Sequence, residues 1–347
     1  MKPRVGILAC RSASGEQGGA ERFFVGLRDA LLDAGAAAEI VEIDNNESDF
    51  DQIRQSYLRF YDLNLDEFDG VISAKAPSYV VRHRNHVCYL MHTIRVFYDM
   101  FESAFPRPTL EVIGQRRLIH ALDTAALQRP RRVFAIGEEV AERLHRFNGL
   151  DATVMRHPTS LRGLHGGSFD YLFLPGRLHR WKRTDLAIKA MRFVTAPVEL
   201  IIAGTGEDEQ QFRHLAADDS RIRFVGRVSD DALVELYANA LAVIYTPQFE
   251  DLGLVTLEGF QSGKPVITCS DSGEPARIVE DRRSGFVCRP DPAHIGACIE
   301  QLAYGSADVA AMGRAGRAAI MSIRWENVAT ALSGALGFQS QERRHAP

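Results

Sequence analysis

Short apolar runs alternate with amphipathic stretches along most of the chain. Residues 5–9, 38–43, 71–73, 87–91 and 131–136 read as buried strands, with 151–155 as the last strand of the first half. Helical periodicity separates them: it runs to about Ala34, covers 53–61 and about 108–127, and continues through 137–147, where Val140, Leu144 and Phe147 share a face. The alternation resumes with strands at 171–174, 198–203, 222–225, 241–245 and 266–268, and with helices at 183–192, from Glu207 and at 230–238. Strands spaced by ~10–15-residue helical patterns indicate parallel sheets covered on both faces. The stretch 157–168 is aperiodic and rich in Gly, Pro and Ser, and reads as a linker. The expected fold is α/β, with two doubly wound Rossmann-like domains at 1–160 and 161–322. An amphipathic segment at 323–338 is expected to cross back onto the first domain, followed by a polar tail at 339–347.

The stretch from Tyr245 to Cys269 carries the sharpest chemistry. After the apolar run comes a polar loop with Glu250 and Asp251. A helix then begins near Gly253 or Leu254, and Gly263 and Pro265 terminate it. Two carboxylates, Glu250 and Glu258, thus surround a helix start whose free N–H groups favour an anion such as a diphosphate. Carboxylates accept hydrogen bonds from vicinal hydroxyls, so a phosphate-linked sugar fits the pattern. Upstream, Arg177 and Lys182 stand five residues apart just beyond a strand end, a spacing suited to a phosphate pair. Gly204 lies in a second strand-to-helix turn. Each feature also has a plainer role as a solvated cation or a connector. Their common position at strand carboxyl ends favours a ligand site.

The first half offers weaker signals. Gly18 and Gly19 sit between a strand and a helix, without the GxGxxG spacing of a dinucleotide fingerprint. His92 ends a buried strand, where it can meet a sugar or phosphate or merely cap the strand. Asp49-Phe50-Asp51 has a D-x-D form used by some metal-dependent transferases, yet acidic residues are favoured in any first helical turn. The basic run from Arg82 to His86 reads as a solvated face, with contact to a membrane surface or an anionic acceptor as the alternative.

Composition narrows the classes. At 46% hydrophobic and 25% charged residues, the chain is that of a soluble globular protein. Its net charge of −4 argues against a nucleic-acid partner. No apolar run approaches the ~20 residues that span a bilayer, and no signal-peptide pattern opens the sequence, so a cytoplasmic location is expected. Five scattered cysteines without CxxC spacing indicate neither a disulfide framework nor a zinc site.

In combination these motifs resemble the retaining glycosyltransferases of family 4, which have the GT-B fold of two facing Rossmann-like domains. Glu250-x7-Glu258 is similar to that family's paired-glutamate motif, and Arg177 and Lys182 fall at its G-R-L-x-x-x-K positions. Residues 222–228 resemble the segment whose backbone edges the nucleobase, which assigns Val225, Arg227 and Val228 to the donor site. Gly18 and Gly19 resemble the amino-terminal loop motif, and His92 the histidine that lines the donor sugar.

The resemblance implies that Glu258 accepts from ribose hydroxyls and Glu250 from hydroxyls of the transferred sugar. It places the amides of Gly253, Leu254 and Val255 against sugar hydroxyls and phosphate, and the charges of Arg177 and Lys182 on the departing diphosphate in place of a metal ion. The implied reaction moves a hexose from a UDP- or GDP-sugar, with retention, to a carbohydrate, lipid-linked or small-molecule hydroxyl, with no metal cofactor. Two departures from the pattern stand out. Asp251 and Leu252 replace the common Pro and Phe, and Ser272-Gly273-Glu274-Pro275-Ala276 replaces G-G-x-P-E, leaving that loop without an assigned role. The competing readings are a non-catalytic sugar-nucleotide-binding protein and a nicotinamide-dependent oxidoreductase; the missing GxGxxG disfavours the latter.

Overall fold

A computed structural model of the chain describes residues 2–12, 19–305 and 307–338. It divides into two compact units, Met1–Ser160 with Ile323–Pro347, and Leu161–Ser322.

The first unit holds β1 (Arg4–Ser12), β2 (Ala37–Asn45), β3 (Gly70–Lys75), β4 (His86–His92), β5 (Arg132–Ala135) and β6 (Thr153–Val154), in the order β2-β1-β3-β4-β5-β6. All pairings are parallel. The second holds β7 (Tyr171–Pro175), β8 (Leu200–Ala203), β9 (Ile222–Gly226), β10 (Ala240–Ile244), β11 (Val266–Cys269) and β12 (Gly285–Cys288), again all parallel, in the order β12-β11-β10-β7-β8-β9. Every residue of β8, β10 and β11 is buried, as expected of strands covered by helices on both faces. The expected α/β fold of two doubly wound domains is therefore the observed one.

The pattern under-read the end of the second unit. β12 and the helices Glu274–Ile278, Pro292–Ala303 and Val309–Ala319 were not anticipated. β12 has four residues and opens with glycine, too short a run to show a period. In the first unit Asp49 is the N-cap of helix Phe50–Tyr61 and accepts from the Gln52 N–H at 2.9 Å, while Asp51 pairs with Arg54. The D-x-D acids thus serve the helix. Among the described residues no group of three His, Cys, Asp or Glu side chains could hold a metal ion, and no helix is long and apolar enough to cross a membrane.

Helix Trp325–Ala335 packs on helix Gly19–Asp33 within the first unit. The Trp325 ring stacks on His157 with centroids 5.2 Å apart, and stands 6.0 Å from Phe23.

Asp123 is fully buried in the same unit, accepting from the Tyr57 and Tyr98 hydroxyls at 2.6 Å each. Burial raises its pKa to about 6, against the lowering effect of those hydroxyls. A raised folded-state pKa means stability that is present below the unfolded value of ~3.9 and is lost as pH rises through about 6. Asp123→Asn should abolish this dependence. Urea unfolding of both proteins from pH 4 to 7 should show wild type losing on the order of 2–3 kcal/mol relative to the variant across that window. Parallel curves would contradict it.

Candidate functional site

In open parallel sheets a ligand crevice forms at the carboxyl ends of the strands where their order reverses. In the second unit the reversal lies between β7 and β10. The chain leaving β7 passes Gly176 and Arg177 into a short 3-10 turn, Arg180–Lys182, whose N-cap His179 accepts from the Trp181 N–H. Arg183 follows with φ of 51°. Its guanidinium donates to the Thr246 and Pro247 carbonyls at 2.7 Å and forms a two-pronged pair with Asp271 at 2.6 and 2.7 Å. Arg183 thereby ties together the segments leaving β7, β10 and β11.

That tie positions Lys182. Its Nζ lies 2.7 Å from Glu250 Oε2 and 3.2 Å from the Tyr245 hydroxyl. The Lys182 and Glu250 side chains are 30% and 17% exposed, so the pair is sheltered yet reachable. An ammonium carries three donors. Two are used here, and the third has no acceptor among the described residues.

Glu250 is held from the other side by the loop that the sequence left without a role. The Phe249 N–H donates to the Asp271 carbonyl and the Glu250 N–H to the Ser272 carbonyl, both at 3.0 Å, while the Glu274 N–H donates to the Glu250 carbonyl at 2.9 Å. This parallel bridge requires Gly273, whose φ is 73°. A Cβ there would stand 2.5 Å from the Glu250 carbonyl oxygen and 2.6 Å from its nitrogen.

Helix Leu254–Gln261 starts at Gly253, its N-cap, with φ of 75°. The N–H groups of Leu254 and Val255 have no acceptor among the described residues, so the open amino-terminal end of this helix follows directly on the loop that carries Glu250. Leu252 is a core residue at 4% exposure, which removes it from any sugar-facing wall. Glu258 sits one turn into the helix, 8% exposed, and its Oε2 accepts from the Tyr237 hydroxyl at 2.6 Å.

Arg177 and Lys182 are not a joint pair. Arg177 reaches Glu207 at 3.1 and 3.4 Å, on the exposed side of the turn. Burial raises the Glu207 carboxyl, but its own backbone N–H, Arg177 and His179 together hold it below its ordinary value. Gly204 ends the β8 turn and donates to the Gly226 carbonyl at 2.8 Å. Val225 and Arg227 are exposed and Val228 half-buried around the end of edge strand β9. In the first unit, His92 ends β4 opposite Lys75, with its Nδ1 2.9 Å from the Thr93 carbonyl. Gly19 opens helix Gly19–Asp33, and Gly18 lies outside the described residues.

Sequence reasoning missed Tyr245, Tyr237, Arg183 and Asp271. Tyr245 ends an apolar run and Tyr237 lies within a helical stretch, so neither marks itself as chemistry, and Arg183 acts through a carboxylate 88 positions away. Only the adjacency of Arg183 to Lys182 offered a hint.

Two parallel doubly wound sheets, with cations and carboxylates gathered at a strand-order reversal, define a GT-B type protein. Residues 164–319 match the family model for Glycosyl transferases group 1. It is 31% identical over 164 residues to human alpha-1,3/1,6-mannosyltransferase ALG2, a match covering 42% of this chain and 39% of that protein. The chain thus spans well under half the length of this curated relative. The structure resembles sucrose-phosphate synthase from Thermosynechococcus elongatus, with a TM-score of 0.76 at 15% identity, covering 96% of this chain and 98% of the other. It also resembles Anabaena HepE in complex with UDP-glucose, with a TM-score of 0.73 at 16% identity and 96% and 99% coverage.

Proposed function

We propose that the protein is a retaining glycosyltransferase that moves a hexose from a nucleotide diphosphate sugar to an acceptor hydroxyl without a metal ion. The observation that carries this reading is Lys182, held by Glu250 and Tyr245 beside the start of helix Leu254–Gln261 with one donor to spare. That third N–H meets a phosphate oxygen and, with Arg177, opposes the charge that grows as the diphosphate departs. The amides of Leu254 and Val255 add fixed positive partial charge at no cost of reorganisation. Glu250 accepts from hydroxyls of the transferred sugar, and Glu258, oriented by Tyr237, from the ribose. The turn at Gly204 and the strand end at Val225, Arg227 and Val228 form the base side of the donor site. His92 orients the sugar. A departing diphosphate oxygen takes the acceptor proton on the face it leaves, which gives retention.

The acceptor is a carbohydrate, a lipid-linked saccharide or a small molecule, as in polysaccharide, glycolipid or natural-product assembly. The relatives' names support sugar transfer, and a solved neighbour described with UDP-glucose supports a nucleotide-sugar donor. A thermal-shift panel of UDP-, GDP- and ADP-sugars should reveal one preferred donor, since selective binding raises apparent stability. The Arg177→Ala/Lys182→Ala double variant should lose that shift. Release of nucleoside diphosphate that requires acceptor separates an enzyme from a mere binding protein; a double variant with full donor shift and turnover would sink the assignment.

A further inference from the structure

A second basic feature lies wholly within the first unit. Arg82, His83, Arg84, His86, Arg129 and Asp66 line a surface concavity of about 620 Å³. Asp66 precedes β3, residues 82–86 lead into β4, and Arg129 precedes β5, so the concavity opens at the amino-terminal edge of this sheet. His92 marks the opposite edge, a full β4 length of seven residues, or roughly 20 Å, away. A ligand here does not share the sheet edge where such folds place their reacting groups.

Several exposed arginines elsewhere pair with carboxylates, as Arg4 does with Glu39, Arg11 with Asp44, Arg213 with Glu209 and Arg223 with Glu199. Among the described residues none of Arg82, Arg84 and Arg129 takes part in an ion pair, although the net charge is −4. Two of them are nevertheless held in place. Arg82 donates to the Tyr61 carbonyl at 3.2 Å and lies 4.5 Å from the Tyr61 ring centre; Arg129 donates to the Val80 carbonyl at 2.9 Å and lies 5.9 Å from the same ring. Each guanidinium has five N–H donors and spends one of them on these carbonyls.

The buried His86 adds no charge at neutral pH. His86 Nε2 is 2.8 Å from the Ser73 hydroxyl, and burial, with Arg129 and His83 nearby, pushes its imidazole down to about 3. His83 lies with its Nε2 3.1 Å from the Phe68 carbonyl and its Nδ1 3.0 Å from the Asn85 carbonyl. Three fixed positive charges against the single carboxylate of Asp66 thus surround a cavity large enough for a small ligand.

We propose that this concavity binds a phosphate-bearing ligand, with the guanidinium groups of Arg82, Arg84 and Arg129 as its recognition elements. Guanidinium forks match phosphate oxygens in pairs, and none of these three arginines is already paired with a carboxylate among the described residues. The ligand is either a soluble phosphorylated molecule or the headgroup of an anionic lipid. Neither source depends on the transferase reading.

The test uses the full chain, with sodium pyrophosphate as probe in isothermal titration at low salt. The Arg177→Ala/Lys182→Ala variant removes binding at the second unit's site and should retain one pyrophosphate site. Adding Arg82→Gln, Arg84→Gln and Arg129→Gln should weaken that site at least about tenfold. Arg84→Gln alone, at a residue with no hydrogen bond or ion pair among the described residues, should weaken it about threefold or more without altering thermal unfolding. Flotation with phosphatidylcholine vesicles, with and without phosphatidylglycerol, distinguishes the sources. Recruitment to the anionic vesicles that the three substitutions abolish identifies a headgroup; pyrophosphate binding without recruitment identifies a soluble ligand. If the Arg177→Ala/Lys182→Ala protein binds neither, or if the arginine substitutions leave both unchanged, the proposal is overturned.

Discussion

Lys182→Ala should lower kcat for sugar transfer by about 10²–10³-fold, with a much smaller change in thermal stability. The expectation follows from where the ammonium sits. At 2.7 Å from Glu250 and 3.2 Å from Tyr245 it is already oriented, so in the proposed reaction its third N–H needs no rearrangement as charge builds on the diphosphate. Removing it also leaves Glu250 without its cation and free to repel the phosphates. The pair is partly exposed, so its loss should alter folding by less than about 1 kcal/mol. Lys182→Arg is not expected to restore the rate, because a planar fork cannot replace a point donor shared between a carboxylate and a phenol. Steady-state release of nucleoside diphosphate measures the effect. A fall in kcat of less than about tenfold would remove Lys182 from the transition state.

Gly273→Ala should be strongly damaging to the loop that holds Glu250. Two effects add. The left-handed backbone at φ 73° strains any side chain, and the new Cβ would collide with the Glu250 backbone, 2.5 Å from its oxygen and 2.6 Å from its nitrogen. We expect a loss of about 2–4 kcal/mol, seen as a fall in Tm, and a loss of transfer activity even at temperatures where the protein stays folded. Gly263→Ala is the control. Its φ is 68°, but nothing lies within 4 Å of a Cβ there, so it carries the strain alone and should lose only about 1 kcal/mol with activity intact. Equal losses at both positions would show that the contact with Glu250 plays no part.

These two residues illustrate what the sequence discloses and what it withholds. Strands such as β10 and β11 announce themselves because burial on both faces demands unbroken apolar runs, and Gly263 with Pro265 marks a helix end whatever the tertiary context. Lys182 and Glu250 could be picked out as chemistry by residue type and position. Their direct contact could not, because it depends on Arg183 reaching Asp271 across the fold. The same holds for Arg177. A spacing of five suggested a partner for Lys182, but the intervening 3-10 turn separates the two, and Glu207, itself in another loop, takes the guanidinium. Tyr237 was hidden for a different reason: a buried tyrosine on an apolar helix face looks like filler until its hydroxyl is seen to meet Glu258.

The return of the chain to its first unit also sets an order of assembly. Phe23 and His157 are made early, yet the indole of Trp325 that covers them is made only after all of residues 161–322. During synthesis the later unit has its complete sequence in hand first, while the earlier one waits with an aromatic surface open to solvent. A fragment ending at Ser160 would keep that surface permanently bare, whereas the stretch Leu161–Ser322 carries every strand of its own sheet and is the natural piece to produce alone.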